Sequence, residues 1–372
     1  MKEGWEIKPL GDTVDVLDNL RKPITKRDRI EGEYPYYGAT RILSYVDNYI
    51  FSEKLVLIGE DGAKWLSGDN TSFIVEGKYW VNNHAHVIRP FRKIILDEWI
   101  VYFLNFSDLT PFITGMTVPK LNQEKMRSIP IPLPPLPEQH RIVSILDEAF
   151  AAINKAKANA EENLKNAKEL FESYLQGVFE NIDWETKSIE AVCDEIFAGG
   201  DAPKNNFSKE PNEKHNTPIY ANAVKDRGLY GYTDFARVTK PCVTISARGS
   251  GTGHTELRNE HFLPIVRLIV CIPATNLIST EFLKYTIDNL VIQRSGSAIP
   301  QLTVPMIKDY KIPVPLVEEQ TQLIDQAETL RAETQKMEAI YQKKIDDLEE
   351  LKKSILQKAF AGELKTEKAA AV

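Results

Sequence analysis

The longest regular pattern of apolar and polar positions in the chain covers residues 137–180. Apolar or small side chains recur there in steps of three and four, and no glycine interrupts the pattern before Gly177. This spacing is typical of the narrow seam of a coiled coil, whereas a globular helix carries a broader apolar face. We predict one long helix that requires a partner along its seam.

A second segment, 318–362, repeats the first at a constant offset of 181 residues. Gln320 follows Gln139 by this offset, and upstream of the helix Leu302 follows Leu121 by the same number. An offset that persists through both segments indicates an internal duplication, which predicts two globular heads alternating with two long helices.

The two predicted helices have similar lengths, so each can close the seam of the other in an antiparallel pair. A helix of about 42 residues, at about 1.5 Å of rise per residue, spans roughly 60 Å and would act as a rigid spacer. The predicted seam residues are Ile142, Leu146, Ile153, Leu164, Phe171, Met337, Tyr341, Ile345, Leu348 and Ile355.

Shorter apolar runs, separated by Gly, Asn, Asp and Pro, fill the segments between the long helices. They predict β-rich heads, with strands at 54–58 and 242–246 and helices at 97–106 and 280–289. Each head ends in a proline-rich strand, which we expect at a sheet edge because proline cannot donate a hydrogen bond to a ladder.

Together these patterns predict an α+β fold with an internal pseudo-two-fold repeat. Two β-rich α/β heads would be separated by two long antiparallel helices that form a coiled coil. The predicted domains are the first head over 1–136, the first helix over 137–183, the second head over 184–316, the second helix over 317–364 and a frayed tail over 365–372.

The balance of acidic and basic residues disfavours a protein that binds nucleic acid by electrostatic attraction alone. The chain has 53 acidic and 46 basic residues, a net charge of −7. Non-specific binding to nucleic acid depends on Lys and Arg side chains that displace counterions. Any DNA binding would therefore need locally arranged base contacts, a more basic partner, or both.

The three cysteines lie far apart without a C-x-x-C spacing, which predicts neither a structural zinc site nor a disulfide framework. His84 and His86 could face one side of a strand, but no third ligand lies nearby in sequence, so we predict no metal. No apolar run is long enough to span a membrane, and the first residues lack the apolar core of a signal peptide. We expect a cytoplasmic protein without membrane contact.

Motifs for catalysis are absent from the sequence. An adenine methyltransferase needs an N/D-P-P-Y/F loop and a glycine-rich cofactor site, and neither is present. No paired carboxylate and lysine cluster suggests a nuclease, and no nucleophile elbow is found. The chain is predicted to be non-catalytic.

The order of several short segments resembles the specificity subunit of type I restriction-modification systems. Two divergent heads each end in an I-P-x-P segment that runs into Glu-Gln and a long helix finishing in L-Q-x-x-F, and the likeness covers essentially the whole chain. The segments that carry it are 114–121, 129–139, 295–302, 312–320 and 356–364.

This resemblance implies a sequence-specific DNA-binding subunit that recognises an asymmetric bipartite target. Each head would be a target-recognition domain for one half of the site, and the helices would set the spacing and dock two methyltransferase subunits. Restriction or translocating subunits are a further partner left open. No cofactor is expected in this chain, and S-adenosylmethionine is expected in the methyltransferase partner. The alternative is a two-headed coiled-coil scaffold that binds proteins and no nucleic acid.

In the first head, candidate DNA contacts lie in polar loops after aromatic or glycine-rich positions. Asn82, Asn83 and His84 could read adenine or phosphate, although ordinary turn capping explains them equally well. The full set for this head is Tyr37, Gly38, Arg41, Lys64, Trp65, Asn82, Asn83, His84 and Lys120.

In the second head, the glycine loop 249–253 resembles a phosphate-binding loop, but no Gly-Lys-Ser/Thr follows it, so a nucleotide site is disfavoured. Arg248 could instead read guanine, and hydroxyl side chains could contact bases or phosphates. The full set for this head is Asn222, Lys225, Arg227, Arg248, Ser250, Thr252, His254 and Gln301.

Overall fold

The structure is a computed structural model that describes residues 2–115, 117–179, 184–249, 251–290 and 301–364. The chain divides into two compact units. The first contains Met1–Glu161 and Gln342–Val372, and the second contains Glu162–Tyr341. Each unit therefore includes one head and parts of both long helices, and the finer division into separate head and helix domains stays a prediction.

Among its described residues the first head contains ten strands and two short helices, and the first long helix follows it. The strands are β1 Glu6–Pro9, β2 Val14–Val16, β3 Tyr34–Tyr37, β4 Ile42–Val46, β5 Phe51–Ser52, β6 Leu55–Gly59, β7 Ser72–Val75, β8 Lys78–Val81, β9 Ala85–Pro90 and β10 Pro130–Leu133. The helices are α1 Asp97–Phe106, α2 Gln123–Arg127 and the long α3 Leu136–Phe179, and single 3₁₀ turns occur at Leu10–Asp12, Asp18–Leu20, Lys26–Asp28 and Thr110–Phe112.

The second head uses the same kinds of element, and the second long helix follows it. The elements are β11 Thr186–Ser188, α4 Ile189–Val192, β12 Cys193–Ala198, β13 Thr217–Tyr220, a 3₁₀ turn at Lys225–Gly228, β14 Leu229–Thr233, β15 Cys242–Ile245, β16 Thr255–Arg258, β17 Leu263–Pro264, β18 Ile269–Pro273, α5 Thr280–Asn289, α6 Val304–Asp309, β19 Lys311–Pro313 and the long α7 Val317–Ala361.

The duplication predicted from the sequence is present in the sheet topology. A four-stranded sheet has the order β2-β9-β6-β7 in the first head and β12-β18-β15-β16 in the second. A second sheet has the order β4-β3-β8-β5 in the first head and β14-β13-β17 in the second. In each head one pair of its strands is parallel, β3 with β8 and β13 with β17, and the neighbouring antiparallel pair has an irregularity at the corresponding place, between Tyr36 and Tyr37 and between Ile219 and Tyr220.

The proline-rich segment at the end of each head forms a strand in a two-stranded sheet of its own. Strand β10 pairs with β1, and β19 pairs with β11, both antiparallel. This arrangement confirms the prediction of edge strands, because each proline-rich strand has one neighbour and leaves its other edge without a ladder. The predicted helices at 97–106 and 280–289 are also confirmed as α1 and α5.

In the first unit the two long helices pack along the predicted seam and run antiparallel. Ile142 and Leu146 are fully buried in a cluster that also contacts Leu348 and Ile355. The Lys157 ammonium lies 2.5 Å from the Glu349 carboxylate, and near the start of α3 an Arg141 guanidinium N–H donates to the Leu364 carbonyl at 3.2 Å. Ile153 is also buried, and Ile345 is partly buried.

In the second unit the same two helices also lie side by side and antiparallel. The Arg331 guanidinium lies 5.8 Å from the centre of the Phe171 ring, and the Tyr174 hydroxyl donates to the Gln326 amide oxygen at 3.1 Å. The remaining seam residues here, Leu164, Met337 and Tyr341, are partly buried. In the two units together, every predicted seam residue is buried or partly buried.

A buried glutamine joins the start of each long helix to its head. The Gln139 side chain accepts from the Leu96 N–H at 2.9 Å and donates to the carbonyls of Ile94 and Pro134, both at 2.8 Å. In the second head the equivalent Gln320 is also fully buried and makes the matching three bonds, to the Ser279 N–H and to the carbonyls of Leu277 and Pro315. This repeated contact fixes where each helix leaves its sheet.

Candidate nucleic-acid interface

In the first head, the ends of three strands and one later loop meet at one surface. The Asn82 N–H donates to the Tyr37 carbonyl at 3.1 Å, and the Glu60 N–H donates to the His84 carbonyl at 2.9 Å. Lys120 forms an isolated bridge with Asp61, next to Glu60. The loops that follow β3, β6 and β8 are thereby joined to Lys120, and we call this region the first-head surface.

A network of partly buried ion pairs stabilises the first-head surface. The Glu60 carboxylate, 7% exposed as a residue, lies 2.5 Å from the Arg21 guanidinium and 2.7 Å from the Lys120 ammonium. Burial alone would raise the pKa of Glu60, but the hydrogen bonds from Arg21 and Lys120 outweigh it and the pKa lies below its ordinary value. Glu60 is therefore a carboxylate that holds Lys120 in place.

His86 extends this network into the core. Its Nδ1 lies 2.6 Å from an Asp18 carboxylate oxygen, and its Nε2 lies 2.7 Å from the Leu121 carbonyl oxygen. Both ring nitrogens are therefore engaged by groups of the same head. Burial would raise the pKa of Asp18, but the hydrogen bond and charge of His86 outweigh it and lower that pKa.

The ligand atoms of Asp18, Glu60 and His86 lie within 4.8 Å of one another, a spacing that could hold a metal ion. The Arg21 guanidinium already occupies the same Glu60 oxygen, and both nitrogens of His86 face acceptors. A metal ion would have to displace these contacts, so we assign none. His84 does not face the same way as His86 along a strand, because it precedes β9 and its ring contacts Asp61.

Two of the candidate contacts in the first head are core residues. Trp65 is 9% exposed, belongs to the main apolar cluster and donates its indole N–H to the Gly59 carbonyl at 3.3 Å. Asn82 is 2% exposed, and its side chain accepts from the His84 N–H at 2.8 Å. Trp65 therefore cannot contact DNA from this position, and Asn82 caps a turn, which was the alternative interpretation of that residue.

The other candidates of the first head differ in what they present to solvent. Tyr37 is half-buried against Phe73 and Tyr79, and Gly38 is buried in the turn after β3. The side chains that are exposed or partly exposed, and so available to a ligand, are Arg41, Lys64, Asn83, His84 and Lys120.

The second head builds an equivalent surface around Asn222. The Asn222 side chain accepts from the Ala247 N–H at 2.5 Å and donates to the Arg248 carbonyl at 3.1 Å. Arg248 forms an isolated bridge with Gln301. These contacts join the segments that follow β13 and β15 to Gln301, and we call the region the second-head surface.

A carboxylate also holds Arg227 and His254 together at the second-head surface. The Arg227 guanidinium donates to Glu256 at 2.8 Å and to the Leu257 carbonyl at 2.7 Å, and the His254 ring lies 3.1 Å from Glu256. Burial would raise the pKa of Glu256, but the hydrogen bonds from Arg227 and His254 outweigh it and lower that pKa. Arg227, Lys225 and Arg248 are exposed.

Arg258, which the sequence analysis did not single out, holds the turn that presents Arg227. Asp226 and Arg227 both adopt left-handed backbone conformations, with φ of 51° and 52°, which are costly for residues other than glycine. The buried Arg258 guanidinium donates to the Arg227 carbonyl and lies 3.6 Å from the centre of the Tyr220 ring. A buried arginine in a β-strand carries no distinctive pattern in sequence, which is why its role was missed.

In the glycine loop of the second head, Thr252 supports the turn and does not face solvent. Thr252 is 4% exposed, and its hydroxyl donates to the Gly249 carbonyl at 2.7 Å. Its predicted contact with a base is therefore corrected to support of the turn. Ser250 lies outside the described residues, and His254 is partly buried beside Glu256.

Equivalent positions of the two surfaces carry different chemistry. The Leu121 N–H donates to the Glu60 carbonyl, and 181 residues later the Leu302 N–H donates to the Ala247 carbonyl, both at 2.8 Å. The backbone framework is thus the same, while the carboxylate of Glu60 is replaced by a methyl group. Beside it, the ammonium of Lys120 is replaced by the amide of Gln301.

Within the part of the chain that the structure describes, every helix is too polar or too short to cross a bilayer.

Comparison with known proteins agrees with this duplicated architecture. The family model described as type I restriction modification DNA specificity domain matches residues 2–163 and 181–358. A provisionally named type I restriction enzyme specificity subunit of Haemophilus influenzae is 39% identical over 151 residues, which are 40% of this chain and 39% of that protein. A provisionally named type I specificity subunit of Mycoplasma pneumoniae is 26% identical over 322 residues, which are 83% of this chain and 85% of that protein.

Among solved structures, the HsdS subunit from Thermoanaerobacter tengcongensis is similar with a TM-score of 0.62 and 19% sequence identity, over 98% of both chains. At this identity the likeness concerns the fold. Since the family model matches both repeats, the chain belongs to the family of type I restriction modification DNA specificity domains.

Proposed function

We propose that this chain is the DNA-recognition subunit of a type I restriction-modification complex and that it reads an asymmetric bipartite target. Each head would read one half of the target through its own surface. The two long helices would set the distance between the halves, and the bases between them would stay unread.

The main support for this proposal is that the two head surfaces share one backbone framework but present different side chains. The two surfaces are built from the same strand ends and the same bonds to Leu121 and Leu302. The side chains they present differ, with Lys120 and Asn83 in one head and Gln301 and Arg248 in the other. Base edges in the major groove are distinguished by the donors and acceptors that meet them, so two unlike sets favour two unlike half-sites.

Among the exposed side chains, Arg248 is the strongest candidate for direct readout. Its carbonyl is fixed by Asn222, so its exposed guanidinium starts from a defined backbone position. Arginine contacts the O6 and N7 atoms of guanine with two parallel hydrogen bonds, and such a pair contributes about 1–3 kcal/mol of discrimination. Asn83 and His84 are the corresponding candidates at the first-head surface.

The chain would act together with two methyltransferase subunits that dock on the long helices. The acidic balance of the chain, 53 acidic against 46 basic residues, supports the need for a partner that adds DNA affinity. The chain has no methyltransferase motif of its own, so the partner would bring S-adenosylmethionine and the chemistry. The role of this chain would be to place that partner on the correct site.

Methylome sequencing of cells that carry this chain with a co-produced methyltransferase partner tests the proposal. We expect one methylated motif with two unequal halves, separated by unread bases and absent when the chain is omitted. Arg248→Ala should relax or abolish reading in one half only, whereas Lys93→Ala, at an exposed position outside the two surfaces and the long helices, should leave the motif unchanged. A chain-independent motif, or none in cells where the complex assembles, would instead favour the protein-binding scaffold.

A further inference from the structure

A basic segment lies beside the first-head surface and is not among the candidate base-reading residues. Residues 21–29 contain five basic side chains and one acidic side chain, although the whole chain carries a net charge of −7. Two of the five have structural roles. Arg21 belongs to the Glu60 network, and Arg29 lies 4.3 Å from the centre of the Tyr36 ring and donates to the Ile24 carbonyl.

The remaining three cations, Lys22, Lys26 and Arg27, point to solvent. All three residues are exposed. Arg27 lies 3.3 Å from its neighbour Asp28, in a pair with side-chain exposures of 91% and 54% that stabilises little. Among the described residues, neither Lys22 nor Lys26 is paired with a carboxylate. This chain is acidic overall, yet residues 22–27 carry three exposed positive charges.

The backbone that carries these cations is held in place. The buried Tyr36 hydroxyl accepts from the Ile24 N–H at 3.0 Å, and the Trp80 indole N–H donates to the Lys22 carbonyl at 2.5 Å. Inside the segment, the Asp28 N–H donates to the Thr25 carbonyl at 3.0 Å. A ligand that meets this segment would lose little backbone entropy, because the segment is already ordered.

Arg21 fixes the basic segment next to the first-head surface. Its guanidinium donates to the Ala85 carbonyl at 2.8 Å and to the Asn83 carbonyl at 3.4 Å, in addition to Glu60. Lys22 thus follows directly on a residue that contacts the turn bearing Asn83 and His84, and Lys26 and Arg27 lie four and five residues further along the same ordered segment. This places a positive edge beside the candidate base-reading loops.

We propose that Lys22, Lys26 and Arg27 contact the phosphodiester backbone of duplex DNA beside the half-site read by the first head. The inference rests on the proposed function, because it assumes that DNA lies on the first-head surface. Lysine and arginine bind phosphates without regard to sequence and fix the register of a protein on the duplex. The segment would supply affinity and orientation, and the neighbouring loops would supply specificity.

The test uses the full chain assembled with its co-produced methyltransferase partner. Equilibrium binding to a duplex with the methylated motif, and to one with both halves scrambled, is measured between about 50 and 200 mM salt. Each phosphate contact contributes about 0.9 to the slope of log affinity against log salt, so K22A/K26A/R27A should reduce that slope by about 2.7 on both duplexes. The ratio of affinities for the two duplexes should stay unchanged.

Two matched variants separate this role from fold and net charge. K22R/K26R/R27K keeps all three charges and should keep the wild-type slope. K93A/K240A/K311A removes three exposed lysine charges that lie outside the two surfaces and the long helices, and it should leave the slope nearly unchanged. Equal melting temperatures would show that the variants remain folded.

An unchanged slope for K22A/K26A/R27A, or an equal loss for K93A/K240A/K311A, would overturn the inference. A loss confined to the target duplex would also overturn it, because that result means base reading rather than phosphate contact. Failure of the proposed function is a separate result, in which the wild-type complex does not prefer its target. The slope on the scrambled duplex still tests the basic segment in that case.

Discussion

At the scale of single residues, the buried glutamine that joins the first head to its helix makes a specific stability prediction. Gln139→Ala leaves the Leu96 N–H and the carbonyls of Ile94 and Pro134 without their partner. Unpaired buried polar groups cost about 1–3 kcal/mol each, and we expect a loss of roughly 3 kcal/mol in unfolding free energy. The exposed Gln357→Ala should change it by less than about 0.5 kcal/mol in the same urea titration. Similar midpoints for both variants would contradict the role of Gln139.

Glu138 gives the corresponding prediction for pH. The Arg141 guanidinium binds its carboxylate through two N–H groups, at 2.7 and 2.9 Å, and together with Lys2 it lowers the pKa of Glu138 from 4.5 to about 2. A carboxyl whose pKa is lower in the folded state stabilises the fold above the unfolded pKa and loses this effect as pH falls through the folded pKa. The melting temperature of wild type should exceed that of Glu138→Gln at neutral pH, and this difference should shrink as pH falls from 4.5 towards 2. A difference that does not depend on pH would contradict this assignment.

Predictions from the sequence fail most often for single residues of the candidate site. Trp65 and Thr252 lie near glycines and Asn82 lies in a polar turn, where exposed ligand contacts often occur, yet all three are buried. Trp65 belongs to an apolar cluster that includes residues of α1, and a local pattern does not contain these neighbours. Arg258 shows the converse case, because only the folded chain brings it under the Arg227 carbonyl.

At the scale of elements, we expect truncation of an apolar side chain on the long helices to cost more unfolding free energy when that side chain is buried. Leu146 is fully buried in the first unit, whereas Leu351 on the second helix is 47% exposed. Leu146→Ala should cost about 2–5 kcal/mol because it leaves a cavity, and Leu351→Ala should cost less than about 1 kcal/mol. Thermal unfolding of both variants measures the difference, and equal costs would show that the seam is not part of the stabilising core.

Elements were easier to predict than single contacts because their signals repeat. The seam recurs over more than forty residues in α3 and α7, and each repeat supports the other. Helices α1 and α5 were also predictable with the correct ends. The pairing order of the strands was not, since runs such as Cys242–Ile245 are apolar at every position and do not indicate their neighbours.

At the scale of the whole molecule, the duplication has a consequence for how the target can change. Each head has its own sheets and its own core, and each surface is built only from residues of its own head. If each head reads its half-site independently, one half of the target can be altered while the other is kept. The proposed function depends on this independence of the two heads.

Methylome sequencing after exchange of the second head tests that claim most directly. Residues 184–316 are replaced by the second head of another member of the family, and the chain is produced with the same methyltransferase partner. We predict a motif in which one half changes while the other half and the number of unread bases are kept. A motif altered in both halves would contradict this prediction, and so would an unchanged motif.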